Sequence, residues 1–145
     1  AEKLFPLPKE SIVCAEKELN IILPNDFKKL CSIHGYDCLG AFEFYNWDSN
    51  KKYSVTSETK AYRNLYTLPH NYLILLVDDA SAILMKLISP EESQIIWCDL
   101  EDFINLLEGR PMVYNPDIFN SFTDFYEFLL EEERKDLEES QNEEG

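Results

Sequence analysis

Apolar residues recur at helical spacing near the start of the chain. In KESIVCAEKELN, residues 9–20, three of them fall on one helical face: Ile12, Ala15 and Leu19. Asn20 can adopt the left-handed backbone conformation that often ends a helix. This stretch therefore predicts a first helix that ends at Asn20.

A Leu-Pro pair separates this helix from the next apolar stripe. Pro24 disfavours helical geometry at Leu23 but itself suits a first helical position, where its missing N–H is not needed. A stripe on one helical face then runs until Gly35 and consists of Phe27, Leu30, Cys31 and His34. The pattern predicts two helices joined by a corner.

The middle of the chain changes to the period of a strand. AFEFYNW, residues 41–47, alternates as a strand does, and TSETKAYRNLY, residues 56–66, is typical of either a short helix or an irregular crossing. The apolar runs YLILLV, SAILMKL and SQIIWCD are separated by polar turns at residues 78–79 and 89–92. These runs predict an antiparallel meander of three strands.

The last third of the chain returns to helical patterns. EDFINLLEG predicts a short helix closed by Gly109. In SFTDFYEFLLEEE, Ser121 as N-cap with Asp124 resembles a capping box, and four apolar residues share one face: Phe122, Phe125, Phe128 and Leu129. Helices on both sides of a run of strands, without internal repeats, predict a single α+β domain.

Net charge is distributed unevenly along the chain. The total is −15, but residues 1–63 are neutral, residues 64–109 carry −7, residues 110–130 carry −2 and the segment from Glu131 carries −6. Such a field repels nucleic acid and anionic membranes, and it speeds association with basic partners. We therefore expect a basic protein partner.

The segment from Glu131 also loses its apolar periodicity. EEERKDLEESQNEEG has too few apolar residues to pack, so we expect a helix that frays into a disordered acidic tail. The predicted division is thus a folded domain over residues 1–130 and a tail over residues 131–145. The tail either contacts the partner or serves only solubility.

The cysteines and apolar runs bear on the cellular compartment. Cys14, Cys31, Cys38 and Cys98 form no C-x-x-C pair, and the chain has only two histidines, so we expect buried free thiols without a zinc site or a disulfide framework. No leader-like apolar segment appears, and no run approaches the roughly 18 residues needed to cross a bilayer. We expect a cytoplasmic location.

One ordered set of motifs resembles the SUKH superfamily. EKELNIILPNDFKKL, residues 16–30, followed by His34-Gly35, is similar to that family's acidic helix leading through Leu-Pro into a second helix. IIWCD, residues 95–99, and SFTDFYEFL, residues 121–129, resemble its later strands and its terminal helix. The resemblance spans residues 10–130 in order.

The sequence also departs from the family pattern. His34-Gly35-Tyr36 stands where Asn-Gly-Gly is common, and Asn20 replaces the usual glycine after the first helix, so we expect a different loop over residues 35–40. LLEGRPMVYNPDIFN, residues 106–120, has no obvious family counterpart.

The resemblance implies a non-enzymatic protein-binding module. Members of the superfamily include bacterial immunity proteins that bind and neutralise toxins, many of them nucleases, and a fungal regulator of cell-wall glucan synthesis. The charge distribution independently agrees with a protein-binding module.

Catalytic and metal alternatives find little support in the sequence. Asp78 and Asp79 are adjacent, so in an extended segment they point to opposite faces and cannot share a substrate. DLED, residues 99–102, lacks the central glycine of a calcium loop and is more typical of acids in the first turn of a helix. His34 and His70 have no cysteine or serine at a recognisable spacing, so we expect core packing for the first and a surface loop for the second.

Aromatic residues beside acids are the remaining candidates. Tyr45, Trp47 and Asp48 follow a predicted strand and could anchor an interface, although core packing of Trp47 is an equal alternative. Trp97 lies in a predicted central strand, where we expect it to be in the core.

These inferences combine into one functional hypothesis. We expect an immunity protein without cofactor or catalytic residue that occludes the basic active site of a toxin; the alternative is a regulatory or scaffolding adaptor. The expected contacts are Tyr45, Trp47, Asp48, Asp78, Asp79, Glu91 and Glu92.

Overall fold

The fold brings helices from both ends of the chain against a central antiparallel sheet. The computed structural model describes residues 9–34, 44–50 and 53–144. The predictions for residues 41–43, for the loop over 35–40 and for Cys38 lie outside the described residues, as does the side chain of His34. In chain order the elements are α1 (Lys9–Leu19), α2 (Asn25–His34), α3 (Val55–Leu65), β1 (Tyr72–Val77), β2 (Ser81–Ser89), β3 (Glu92–Asp99), α4 (Leu100–Leu107), β4 (Asp117–Phe119) and α5 (Phe122–Glu144).

The Leu-Pro corner is held by a single carboxylate. Glu16 Oε2 accepts the Leu23 N–H at 2.8 Å and pairs with Lys28 Nζ at 2.9 Å, so it ties α1 to α2. Asn20 has a φ of 54°, as its position at the end of the helix predicts. Pro24 precedes α2 by one residue, and its carbonyl accepts the Lys28 N–H. The predicted pair of helices and their corner are confirmed.

The sheet has the order β1-β2-β3-β4, and all neighbouring strands are antiparallel. The predicted three-stranded meander is therefore confirmed, and β4 adds a short fourth strand that the sequence analysis did not identify. In the described part of the expected strand at residues 41–47, Phe44 to Trp47 form only an isolated bridge, between Asn46 and Ser54. The strand prediction is wrong for these residues.

The free edge of β1 is covered by groups from the preceding segment. Thr59 of α3 accepts the Ile74 N–H through Oγ1 at 3.0 Å, and the Tyr45 N–H donates to the Leu75 carbonyl at 2.9 Å. Of the two alternatives for residues 56–66, the helix is confirmed, with Ser54 as its N-cap. Covering the edge in this way protects it from pairing with another chain.

Each face of the sheet has its own apolar core. One face packs against α1, α2 and α5, whose buried members include Leu19, Phe27 and Phe125. The opposite face packs against α4 through Phe103 and Leu107. Because both faces are covered, the strands are continuous apolar runs and do not alternate with polar residues. The predicted α+β fold class is confirmed.

The terminal helix is longer than its packed part. Ser121 Oγ accepts the Asp124 N–H at 3.0 Å, as the cap prediction requires, and the buried face ends at Leu129. α5 then continues to Glu144, and the side chains of residues 131–141 are exposed. Arg134 pairs with acids one turn before and one turn after it. The expected fraying of this segment stays a prediction.

Candidate partner-binding surface

Four carboxylates gather at one end of the sheet, which we call the acidic end: Asp78, Asp79, Asp99 and Glu101. The β1–β2 turn carries the first two, and β3 with the first turn of α4 carries the others. Ser81 pairs with Asp99 across the sheet, and the Leu100 N–H donates to the Ala80 carbonyl at 3.1 Å. The topology therefore brings together acids that are 20 or more residues apart in the sequence.

Asp78 is fixed in place by its own turn. Its Oδ1 accepts the backbone N–H groups of Ala80 and Ser81, each at 2.8 Å. These two hydrogen bonds hold the pKa of Asp78 below its usual value, because they favour the charged carboxylate. Asp78 and Asp79 are exposed in this turn, in agreement with the interpretation of a solvated turn.

The other predicted acidic pair lies at the opposite end of the sheet. Glu91 and Glu92 follow β2, whose nine residues run from Ser81 to Ser89. At about 3.3 Å per residue the two ends of β2 are roughly 26 Å apart. The structure thus does not place Glu91 and Glu92 on one continuous patch with Asp78 and Asp79.

The aromatic candidates differ in their accessibility. Trp47 is only 1% exposed and lies against Phe27, with ring centroids 5.1 Å apart. Of the two alternatives for Trp47, the interface role is therefore wrong and core packing is confirmed. Tyr45 and Asp48 are half-buried; the Tyr45 hydroxyl donates to the Val77 carbonyl at 3.2 Å, which places its tip beside the acidic end.

Two further tyrosines lie near Tyr45 and the acidic end, and neither is among the predicted contact residues. Tyr53 is 57% exposed and stacks on Tyr45, with the two ring centroids 6.4 Å apart. Tyr114 hydrogen-bonds Glu101, and this bond raises the pKa of the Tyr114 hydroxyl, as do the charges of Glu101, Asp99 and Asp102. Tyr114 follows α4 by several residues, in a segment whose path the sequence pattern does not predict.

The ion pairs formed by the described cations do not involve the acidic end. Within the described ranges, the basic residues of the first half that form ion pairs do so with acids of the first half: Lys28 with Glu16, and Lys60 with Glu18. The ion pairs found among these residues include none of the four carboxylates of the acidic end. Among the described residues, no ion pair offsets the negative charge of these four carboxylates.

A fifth carboxylate lies buried behind this surface. Asp102 is 0% exposed, and it accepts the N–H of Val113 at 2.7 Å and that of Tyr114 at 2.9 Å. Burial raises its pKa, but these two bonds and one from Asn105 outweigh burial, so the pKa of Asp102 is lowered. The prediction of first-turn acids is confirmed for DLED, and Asp102 also fastens the segment that follows α4.

A groove opens between α4 and this fastened segment. It has a volume of about 540 Å³, and Glu101, Ile104, Val113 and Tyr114 contribute to its walls. A second groove, of about 370 Å³, lies near the opposite end of the sheet and is lined by residues that include Ile22, His70 and Ile88. Only the first groove includes a carboxylate of the acidic end.

The other candidate residues have structural surroundings. His70 is exposed, as predicted, and its Nε2 lies 2.9 Å from the Asn20 carbonyl oxygen. Trp97 is half-buried against Phe128 of α5. Cys31 and Cys98 are buried free thiols as predicted, whereas Cys14 is exposed, so that prediction is wrong for Cys14.

Metal binding and membrane crossing find no support among the described residues. Among these residues, no group of three or more histidine, cysteine or acidic side chains is placed to hold a metal ion. None of the helices described there is long and apolar enough to cross a membrane.

Comparison with known proteins places the chain in a family. The SUKH family model described as SMI1-KNR4 cell-wall matches residues 2–106, which is more than half of the chain. A comparison with curated proteins gives no match. The match covers the Leu-Pro corner, the three long strands and most of α4, and it ends before the segment that Asp102 fastens. The chain belongs to the SUKH superfamily.

Proposed function

We propose that this protein is an immunity protein that binds a toxin through the acidic end of its sheet and occludes a basic active site. The observation that carries the proposal is the cluster of Asp78, Asp79, Asp99 and Glu101, which forms no ion pair with the other described residues. Family membership supports a protein-binding role, because the superfamily includes toxin-neutralising immunity proteins.

The chemistry of the acidic end suits a basic cleft. A nuclease or another enzyme that acts on anions needs cations to hold its substrate, and fixed carboxylates compete for the same cations. Asp78 is held by its turn, Asp99 accepts the Asp102 N–H at 3.1 Å, and Glu101 accepts from Tyr114. Ordered charges lose less conformational entropy on binding than free side chains do.

The aromatic residues around the acidic end supply the apolar part of the interface. Tyr53 and Tyr114 are more than half exposed, and tyrosine is enriched among the residues that dominate binding energy. Tyr45 and Asp48 contribute at its border. Trp47 is excluded from direct contact by its burial.

A matched pair of double variants tests where the partner binds. The partner is first captured from the native cell with the wild-type chain and identified by mass spectrometry. D78N/D79N and E91Q/E92Q remove the same charge from exposed turns at opposite ends of the sheet. We expect D78N/D79N to slow association about tenfold at low salt, with E91Q/E92Q near wild type. Equal rates for the two variants would remove the acidic end from the proposal.

Salt dependence and inhibition complete the test. The association rate of the wild-type complex should fall steeply as salt rises from about 50 to 500 mM, because exposed charges are screened beyond roughly 10 Å at 0.1 M. The chain should also abolish the toxin's activity at a one-to-one ratio. A partner that has no toxic activity would refute the immunity role.

The second candidate function is a regulatory or scaffolding adaptor. The description of the matching family model, SMI1-KNR4 cell-wall, favours it. The two functions predict different genomic neighbours and partners: a large toxin gene beside this one for the first, and a cellular enzyme or scaffold captured in the pull-down for the second.

A further inference from the structure

We propose that the groove between α4 and the segment 110–117 is the docking site for one arginine or lysine side chain, flanked by apolar residues, from the partner protein. This inference deepens the proposed function and rests on it for the partner's basic character. The groove lies at the border of the acidic end, because Glu101 belongs to both.

The walls of the groove combine apolar and acidic groups. Ile104 is 42%, Val113 62% and Tyr114 55% exposed, so three large apolar side chains present surface to one cavity of about 540 Å³. Glu101 supplies a carboxylate among them. This combination matches a long basic side chain, whose methylene stem packs on apolar surface while its charged end meets an acid.

The charged groups in and around the groove favour a cation. Arg110 also lines it, but Arg110 Nη2 pairs with Glu108 at 2.8 Å and its Nε donates to Asn105 Oδ1 at 3.2 Å. The cation of the chain itself is thus already compensated. Asp99 and Asp102 lie close enough to Tyr114 to affect its hydroxyl group, so further negative charge stands behind the wall.

The wall formed by residues 113 and 114 is fixed before any partner arrives. The buried Asp102 carboxylate accepts both of their backbone N–H groups. The side-chain amide of Asn105 donates to the same carboxylate at 3.1 Å, and the backbone carbonyl of Asn105 accepts the backbone N–H of Arg110 at 2.7 Å. A preformed wall costs little ordering entropy on binding, as a recognition site requires. Asp102 is therefore a positioning residue for this groove.

The position of the groove in the sequence fits a role in selecting the partner. The family model ends at residue 106, so most of the wall lies outside the matched region. A scaffold that presents different recognition segments can bind different partners, because specificity depends on the local contacts and not on the fold.

A peptide titration tests the inference without the native partner. The probe is acetyl-Leu-Arg-Leu-amide, and the control peptide replaces arginine by citrulline, which has nearly the same shape without the charge. With the isotope-labelled chain, we expect the arginine peptide to shift the amide signals of residues 101, 104, 113 and 114 most strongly. The citrulline peptide should bind about fivefold more weakly, which corresponds to the loss of one exposed ion pair.

Matched variants separate this groove from general charge attraction. Glu101→Gln should weaken the arginine peptide about fivefold, whereas Glu91→Gln, with the same charge change at the opposite end of the sheet, should leave it unchanged. Val113→Ser should weaken both peptides, because it removes apolar surface from the wall. The spectra of the variants show directly whether each one is folded.

The outcomes distinguish the inference from the proposed function. Shifts spread over acids at both ends, or an equal effect of the two glutamate variants, would overturn the groove as a site. If D78N/D79N still slowed capture of a toxin in that case, the proposed function would stand. If the peptide bound the groove but the captured partner were not a toxin, the groove would stand and the immunity role would fail.

Discussion

Trp47→Ala offers the sharpest test of the difference between core and interface in this chain. The side chain is 1% exposed and belongs to the core formed with α1, α2 and α5, where its ring lies 5.1 Å from that of Phe27. Truncating a buried tryptophan to alanine removes its apolar contacts and leaves a cavity. Such substitutions cost about 3–5 kcal/mol in the free energy of unfolding.

That loss is large compared with the stability of an ordinary domain. The free energy of unfolding of native domains is about 5–15 kcal/mol, so Trp47→Ala would remove between about a fifth and all of it. At about 2–4 °C per kcal/mol for a chain of this size, the midpoint of thermal unfolding should fall by roughly 6–20 °C. Urea denaturation followed by far-ultraviolet circular dichroism measures the same loss as a lower midpoint.

Tyr53→Ala is the matched control. Tyr53 is 57% exposed, so its truncation should change the free energy of unfolding by no more than about 0.5 kcal/mol. Trp47→Phe should fall between the two, because it keeps a ring against Phe27. If Trp47→Ala were as stable as wild type, Trp47 would not be in the core and its expected role as a surface anchor would return.

Three further predictions concern individual groups. Asp102 has a lowered pKa in the folded chain, so its contribution to stability is complete above its unfolded pKa and is lost as pH falls through the folded value. Urea midpoints measured from pH 7 to pH 2 should therefore fall less steeply in Asp102→Asn than in wild type. Parallel curves for the two proteins would contradict this prediction. Thr59→Val keeps the side-chain volume but leaves the buried Ile74 N–H without its acceptor, so it should lower the free energy of unfolding by about 1–3 kcal/mol and speed hydrogen exchange of the Ile74 amide. Thr59→Ser keeps the hydroxyl and should retain the slow exchange. Equal exchange rates in both variants would show that the Thr59 hydroxyl does not bind the Ile74 N–H. Burial raises the pKa of Cys98 to about 12, so iodoacetamide should label the exposed Cys14 in the native protein and reach Cys98 only after unfolding. Peptide mass spectrometry measures the labelling of each cysteine. Labelling of both cysteines at similar rates would contradict the burial of Cys98.

Local signals in the sequence predict the helices and the meander well. The end of α1 depends on Asn20, and the start of α2 depends on Leu23-Pro24. The backbone preferences of these residues act within a few positions. The three long strands are continuous apolar runs because both faces of the sheet are covered. Such features need no knowledge of distant contacts.

Features that depend on distant pairing were missed or wrongly predicted. β4 has three residues and forms only because Ile118 and its neighbours pair with β3. Trp47 looked exposed beside Asp48, yet it packs on Phe27 from another element. The separation of Glu91 and Glu92 from Asp78 and Asp79 follows from the meander itself, since successive turns lie at opposite ends of a sheet. The predicted topology therefore already implies this separation.

Asp102 binds residues 113 and 114 through their backbone, so the side chains at these two positions are free to vary. The carboxylate binds the peptide N–H groups of residues 113 and 114, and every amino acid except proline carries such a group. A library that randomises Val113 and Tyr114 while sparing Asp102 should therefore yield mostly folded proteins, with proline as the excluded choice. In the proposed docking groove, the same anchor would allow residues 113 and 114 to change without a change in the scaffold.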